Sequence, residues 1–250
     1  MLGIEIDAVR MPEAVACLMG WLESPSERCR YVVTPNTDHF LLLRENSAMR
    51  AAYRDADLVL ADGMPVVLAA RLLKRALPER VAGSDLVPAL FATARPERPL
   101  RTYLLGAAPG VGERAARNIQ GRWPAVEIVG VESPPFGFEN DERQNQAILR
   151  RLGESKPDVL ILGLGTPKQE LWMHTHRDQV TARLALCAGA TIDFLAGEKR
   201  RAPMWMRRAG LEWLHRMVSE PRRLFPRYFR NACVFPQLIW REWRMEKPIP

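Results

Sequence analysis

Short apolar runs recur along the chain, each closed by glycine, proline or acidic residues and followed by an amphipathic stretch. The clearest run is Val159-Leu160-Ile161-Leu162, which follows Lys156-Pro157-Asp158 and predicts a strand buried on both faces. Gly163 and Gly165 allow a tight turn after it. Thr166 predicts an N-cap, Pro167 a first helical position, and Lys168-Gln169-Glu170 the start of a helix. Similar runs predict strands at residues 3–7, 31–33, 58–61, 101–106, 127–131 and 184–188. Helices are predicted at 11–22, 39–46, 47–55, 66–73, 86–93 and 144–154, and one opens in the loop 107–112 and runs to about 122. Strands alternating with helices predict an α/β fold with a mainly parallel, Rossmann-like sheet. Pro134-Pro135-Phe136-Gly137-Phe138 reads as a loop over a cleft.

The pattern changes near Pro203. Met204, Trp205, Leu211, Trp213, Leu214, Met217 and Val218 predict the apolar side of a helix. Beyond it, Pro221, Pro226 and Pro236 divide the tail into Arg222-Arg223-Leu224-Phe225, Arg227-Tyr228-Phe229-Arg230 and Leu238-Ile239-Trp240-Arg241. Pieces this short need a surface to lie on.

Charge sharpens the division. Residues 199–250 carry 13 Lys and Arg against four Asp and Glu, whereas residues 1–198 carry 23 against 25. The tail also holds four of the seven tryptophans. An α/β body over 1–198 with a basic, Trp-rich helical appendage over 199–250 points to a polyanionic partner, either a membrane surface or nucleic acid. Cys17, Cys29, Cys187 and Cys233 lack metal-ligand spacing and read as reduced packing residues of a cytosolic protein. Glu5 and Asp7 in the first apolar stretch argue against a secretory signal, and no apolar run approaches the ~20 residues of a membrane span.

Three places could carry chemistry. Asp62 follows a buried run beside Gly63, where a carboxylate serves either as a general base or as a helix cap. Thr34 and Asn36 flank Pro35 in a second strand-end turn, and the same choice between ligand contact and turn applies to them. Gly106, Gly110 and Gly112 are spaced G-x3-G-x-G, which is not the dinucleotide fingerprint, and read as a packing turn or as a phosphate cradle. His39, His174, His176 and His215 show no metal-site spacing, so neither metal nor cofactor is expected.

Taken in order, Thr34-Pro35-Asn36, Ala61-Asp62-Gly63, Arg80-Val81-Ala82-Gly83-Ser84-Asp85, Leu105-Gly106, Gly165-Thr166-Pro167-Lys168-Gln169-Glu170, Gly189-Ala190 with Asp193-Phe194, and Arg201-Ala202-Pro203 with Gly210-Leu211-Glu212-Trp213 resemble the WecG/TagA/CpsF glycosyltransferases of bacterial surface-polysaccharide synthesis. The resemblance spans roughly residues 3–230. It implies inverting, metal-independent transfer of a sugar from a UDP-sugar donor to a polyprenyl-diphosphate-linked sugar acceptor, at the inner face of the cytoplasmic membrane. By the same resemblance Asp62 matches the base, Thr34 and Asn36 its catalytic neighbours, and Arg80 and Gln169 substrate-binding positions. Arg216, Arg222, Arg223 and Arg227 fall in the stretch whose arginines reach the diphosphate. Phe138 is carried over for base stacking and Asp193 for ribose, while Gly106 stays a substrate-binding candidate through the phosphate-cradle reading of its loop. N-acetylmannosamine, glucose or another hexose all stay open as the donor sugar, and a homo-oligomer is compatible with the sequence. A nucleic-acid binder using the basic tail is the rival from another class. No helix-turn-helix, RNP or zinc pattern supports it, so nucleic acid is not expected as a partner. An NAD-dependent dehydrogenase would rest on the glycine loop alone.

Overall fold

The computed structural model describes residues 1–24, 26–208 and 210–245, the side chains of Arg208 and Arg223 excepted. The first half comprises α1 (Met11–Glu23), β1 (Arg30–Val33), α2 (Thr37–Glu45), α3 (Ser47–Asp55), β2 (Leu58–Val59), α4 (Met64–Leu72) and α5 (Gly83–Phe91). Then come β3 (Leu100–Gly106), α6 (Val111–Arg122), β4 (Val126–Glu132), a 3-10 turn at Phe138–Asn140, α7 (Glu142–Ser155), β5 (Val159–Gly163), α8 (Lys168–His176), β6 (Leu184–Cys187) and α9 (Thr191–Leu195). The C-terminal part is α10 (Met204–Arg208), α11 (Glu212–Ser219) and α12 (Pro221–Met245).

The six strands form one all-parallel sheet in the order β2-β1-β6-β5-β3-β4. Strand alternation divides the core into two layers. Tyr31, Val33, Leu160, Leu162, Ala185 and Cys187 meet Phe40, Met49, Val66, Leu149 and Met173 on one face. Val32, Val159, Ile161, Leu184 and Leu186 meet Leu18, Leu86, Leu90 and Ile119 on the other. Continuous apolar runs buried on both faces are what a covered parallel sheet demands, and the expected α/β architecture is the observed one.

Four local expectations are corrected. Residues 3–7 form no strand, although the Asp7 N–H donates to Val59 O at 2.9 Å. The Asp7 carboxylate itself accepts the Val59 N–H at 2.7 Å, so a side chain takes the place of the next ladder bond and pairing stops. Thr166 is not the N-cap of α8: Pro167 occupies that position, and the buried Thr166 hydroxyl faces the Glu170 carboxyl instead of the helix N–H groups. The segment 203–218 forms α10 and α11 instead of one helix. Gly210 turns the chain between them at φ +73, where a Cβ would lie 2.3 Å from Met64 Cγ.

The fourth correction is the largest. The tail does not break at its prolines; α12 runs 25 residues through Pro226 and Pro236. An interior proline costs a helix about 3 kcal/mol. Tertiary packing offsets that cost here: Leu224, Phe235, Leu238 and Ile239 are buried, and the Phe235 ring lies 5.8 Å from that of Phe40 on α2. Asp38 on α2 also pairs with Arg227 at 2.7 Å and Arg230 at 3.4 Å. Among the described residues no helix is long and apolar enough to cross a membrane.

Candidate active site

Strands β2, β1, β6 and β5 are neighbours, and the turns at their carboxyl ends share one cleft of about 450 Å³. That edge of a parallel sheet is where helix N-termini and free N–H groups converge. β1 delivers Thr34 and Asn36, β2 delivers Asp62 and Gly63, β6 delivers Ala188 and Gly189, and the turn after β5 delivers Gly165, Thr166 and Gln169. Helices α11 and α12 close the cleft from outside with Arg216, Arg227 and Tyr228.

Asp62 stands where backbone bonds fix three segments together. The Leu60 N–H donates to Val33 O, the Asp62 N–H to Pro35 O and the Val81 N–H to Ala61 O, each at 2.9 Å. The adjoining N-cap of α4 is Gly63, with no side-chain capping bond, so Asp62 is not spent on the helix. Its side chain remains 32% exposed toward the cleft. Burial on the other sides raises its pKa to about 6; Arg80 and Arg216 pull it down, while Glu212 and Asp85 push it up.

The nearest cation is Arg80, with Nη1 at 3.6 Å from Asp62 Oδ1 and 3.7 Å from Glu212 Oε2. Its Nη2 donates to Asp85 Oδ2 at 2.6 Å. Asp85 also accepts from Arg201 at 2.7 Å and Arg207 at 3.1 Å. Burial alone would raise the Asp85 carboxyl, but the hydrogen bonds and charges of Arg201 and Arg80 hold it below the usual carboxylate range. Arg216 differs from these three. Its guanidinium lies 5.9 Å from the Phe194 ring centroid and has no ion pair among the described residues. The cleft therefore holds a carboxylate with raised proton affinity and, in Arg216, a guanidinium that makes no ion pair among the described residues.

The other polar groups are more fully engaged. Asn36 caps α2 by accepting the Asp38 N–H at 3.0 Å. Gln169 is buried at the edge of the cleft: its Oε1 accepts the Gly189 N–H at 3.1 Å, and its Nε2 donates to Glu170 Oε1 at 2.8 Å. Glu170 is fully buried, its pKa pushed up to about 7 by burial, which the bond from Gln169 offsets only in part. His39 is buried against the Tyr53 hydroxyl at 2.6 Å, and burial depresses its pKa to about 4.

Thr34, Asn36, Asp62, Arg80, Gln169, Arg216 and Arg227 are thus brought together, and four other expected residues are not. Gly106 ends β3, the strand next to β5, outside the cleft lining, and a Cβ there would lie 2.6 Å from the Gly163 carbonyl carbon. Its glycine serves the close approach of β3 to β5. Phe138 is 3% exposed and packs in the core, so the ring expected over the cleft is a core residue; its neighbour Phe136 is the exposed one. Asp193 is paired with Lys199 at 2.9 Å, and the adjacent Phe194 lines the cleft instead. Arg222 is exposed away from the cleft lining, and the Arg223 side chain lies outside the described residues. Asp38, Asp85, Arg207, Glu212 and Tyr228 were not singled out from the sequence. Asp85 and Glu212 lie inside the ordered motifs, and that membership was the signal available for them.

A rigid carboxylate of raised proton affinity, faced by guanidinium groups at the carboxyl edge of a parallel sheet, suits an enzyme that deprotonates one substrate while neutralising phosphate on another. The chain belongs to the glycosyl transferase WecG/TagA/CpsF family, whose model matches residues 1–248, and it is a glycosyltransferase of surface-polysaccharide synthesis. It is similar to the N-acetylglucosaminyldiphosphoundecaprenol N-acetyl-beta-D-mannosaminyltransferases of Staphylococcus aureus strains MRSA252, MW2 and COL. Each is 28% identical over 224 residues, covering 90% of this chain and 85% of the relative.

Proposed function

We propose that this glycosyltransferase moves a hexose or N-acetylhexosamine of the N-acetylmannosamine type from a UDP-sugar to a polyprenyl-diphosphate-linked sugar. The transfer inverts the anomeric centre, needs no metal ion and takes place at the inner face of the cytoplasmic membrane. The observation that carries this reading is that Asp62, open to the cleft and of raised pKa, shares that cleft with Arg216, which makes no ion pair among the described residues.

In this reading Asp62 accepts the proton of the acceptor hydroxyl as its oxygen attacks the anomeric carbon. The bond from that carbon to UDP breaks on the opposite face, which inverts the centre. Negative charge gathers on the departing diphosphate, and Arg216 and Arg207 meet it. Thr34 and Asn36 hold the acceptor beside Asp62, and the Gln169 side chain holds the donor. The relatives named above act, by their names, on a diphosphoundecaprenol-linked acceptor, which supports a lipid-linked acceptor here.

Membrane association is assigned to residues 199–250, with residues 1–198 as the catalytic body. Phe225, Phe229 and Trp240 form an exposed stripe along α12, and Arg222, Arg230, Arg241 and Arg244 are exposed around it. Aromatic residues among arginines suit the interface of an anionic bilayer. The test is UDP release from a panel of UDP-sugars, with and without a polyprenyl-diphosphate-sugar acceptor in vesicles. Acceptor-dependent release from one donor is expected. A folded protein that neither releases nor binds UDP would sink the proposal.

A further inference from the structure

Helix α4 starts at the cleft, where Met64 and Pro65 form part of the wall, and runs outward from it. Val66, Val67, Ala69, Ala70 and Leu73 are buried in the core. The opposite face carries Leu68 at 54% and Leu72 at 60% exposure, a spacing that sets them one above the other. Arg71, Lys74 and Arg75 surround them in exposed positions, and residues 64–78 contain no Asp or Glu. Single exposed leucines are ordinary on a protein surface. Two on one stripe, ringed by cations and beginning at the lip of the cleft, are not explained by the core or by the site.

Both ends of this face adjoin the tail. Gly210, between α10 and α11, packs directly on Met64. Arg75, beyond the other end, pairs with Glu242 of α12 at 3.1 Å. Exposed Met204 and Trp205 on α10 and Trp240 on α12 thus lie on segments bound to the two ends of α4.

We propose that the outer face of α4 is a second bilayer contact, carried by the catalytic body, which seats the cleft mouth on an anionic lipid surface. This rests on the membrane association proposed above and extends it beyond the tail. An anionic bilayer fits better than a protein partner because Arg71 and Lys74 flank Leu68 and Leu72 and α4 itself carries no acidic residue, whereas a fixed protein register calls for mixed charges. With α4 and α12 both docked, the cleft is held at the depth where a lipid-linked diphosphate emerges from the bilayer.

The test is flotation of the full-length chain with phosphatidylcholine vesicles, with and without phosphatidylglycerol. The variants are Leu68→Ser/Leu72→Ser and Arg71→Gln/Lys74→Gln, with Phe229→Ser/Trp240→Ser as the tail reference. Both α4 variants are expected to keep the wild-type melting temperature and the rate of UDP release with a short-chain, water-soluble acceptor. Affinity for anionic vesicles should fall roughly tenfold or more for the leucine pair, and about fivefold for each cation removed. Failure of the wild type to bind any vesicle would overturn the membrane reading and this inference with it. Binding lost in the tail variant but unchanged in both α4 variants would overturn this inference alone. So would unchanged vesicle affinity with a shift between monomer and oligomer, since the face would then belong to a second copy of the chain.

Discussion

Arg80 approaches Asp62 with one nitrogen, Nη1 at 3.6 Å, while its other terminal nitrogen is held by Asp85 at 2.6 Å. The guanidinium is therefore shared and cannot close on Asp62 as a bidentate partner. Asp62 keeps a lone pair for a proton. On this geometry Asp62→Asn removes the base without emptying the site. Turnover should fall by about 10²–10⁴-fold, the usual contribution of a positioned general base. UDP affinity and the circular-dichroism spectrum should stay at wild-type values. Turnover within a few-fold of wild type would remove Asp62 from the chemistry.

The same contacts set a pH dependence. Burial lifts the Asp62 carboxyl to about 6, Arg80 lowers it and Glu212 raises it. A general base works deprotonated, so kcat/KM should decline as pH falls through about 6 in the wild type. Replacing Arg80 by Gln removes the lowering charge and should move that acid limb to higher pH. Glu212→Gln removes a raising charge and should move it lower. Shifts in the same direction, or none in either variant, would show that the limb belongs to another group. The sign is the test here, since both variants also lower the maximal rate.

Much of this site is legible in the sequence, because parallel strands deliver their carboxyl ends to one edge. Thr34, Asn36, Asp62 and Gln169 follow buried runs, and each reaches the cleft for that reason. Pairing across distant segments leaves no local trace: Asp38 with Arg227, and Arg201 with Asp85, are visible only in the fold. Phe138 shows the opposite failure, since an aromatic residue among prolines reads as an exposed loop and here fills the core. The prolines of α12 mislead for a related reason. Local propensity marks them as breaks, whereas the packing of Phe235 and Leu238 comes from residues about 200 positions away.

Glu170 makes a thermodynamic prediction. Its ordinary value of 4.5 is raised to about 7 in the folded chain, so between these pH values the native state binds more protons than the unfolded state. Stability therefore falls as pH rises from 4.5 through about 7, by roughly 3 kcal/mol at most. Glu170→Gln keeps a carbonyl to accept from Gln169 Nε2 and removes the titration. Its melting temperature relative to wild type should rise between pH 5 and pH 8, while transfer stays within a few-fold. The smaller decline due to Asp62 is common to both proteins and cancels in the difference. Parallel melting curves at the two pH values would mean that Glu170 does not titrate in this window.

Gly106 separates a packing role from a ligand role. Its φ of +118 is one that other residues rarely adopt, and an added Cβ would lie 2.6 Å from the Gly163 carbonyl carbon and 2.9 Å from Leu164 N. Both obstacles are backbone, so neither can rotate away. Gly106→Ala must part β3 from β5 or strain its own dihedrals, at a cost of roughly 2–5 kcal/mol. Urea unfolding should show a lower midpoint with an unchanged slope, and UDP affinity should be retained wherever the variant is still folded. An unchanged midpoint with weakened UDP binding would instead return Gly106 to the diphosphate site, and the cleft would then have to extend by one strand, from β5 to β3.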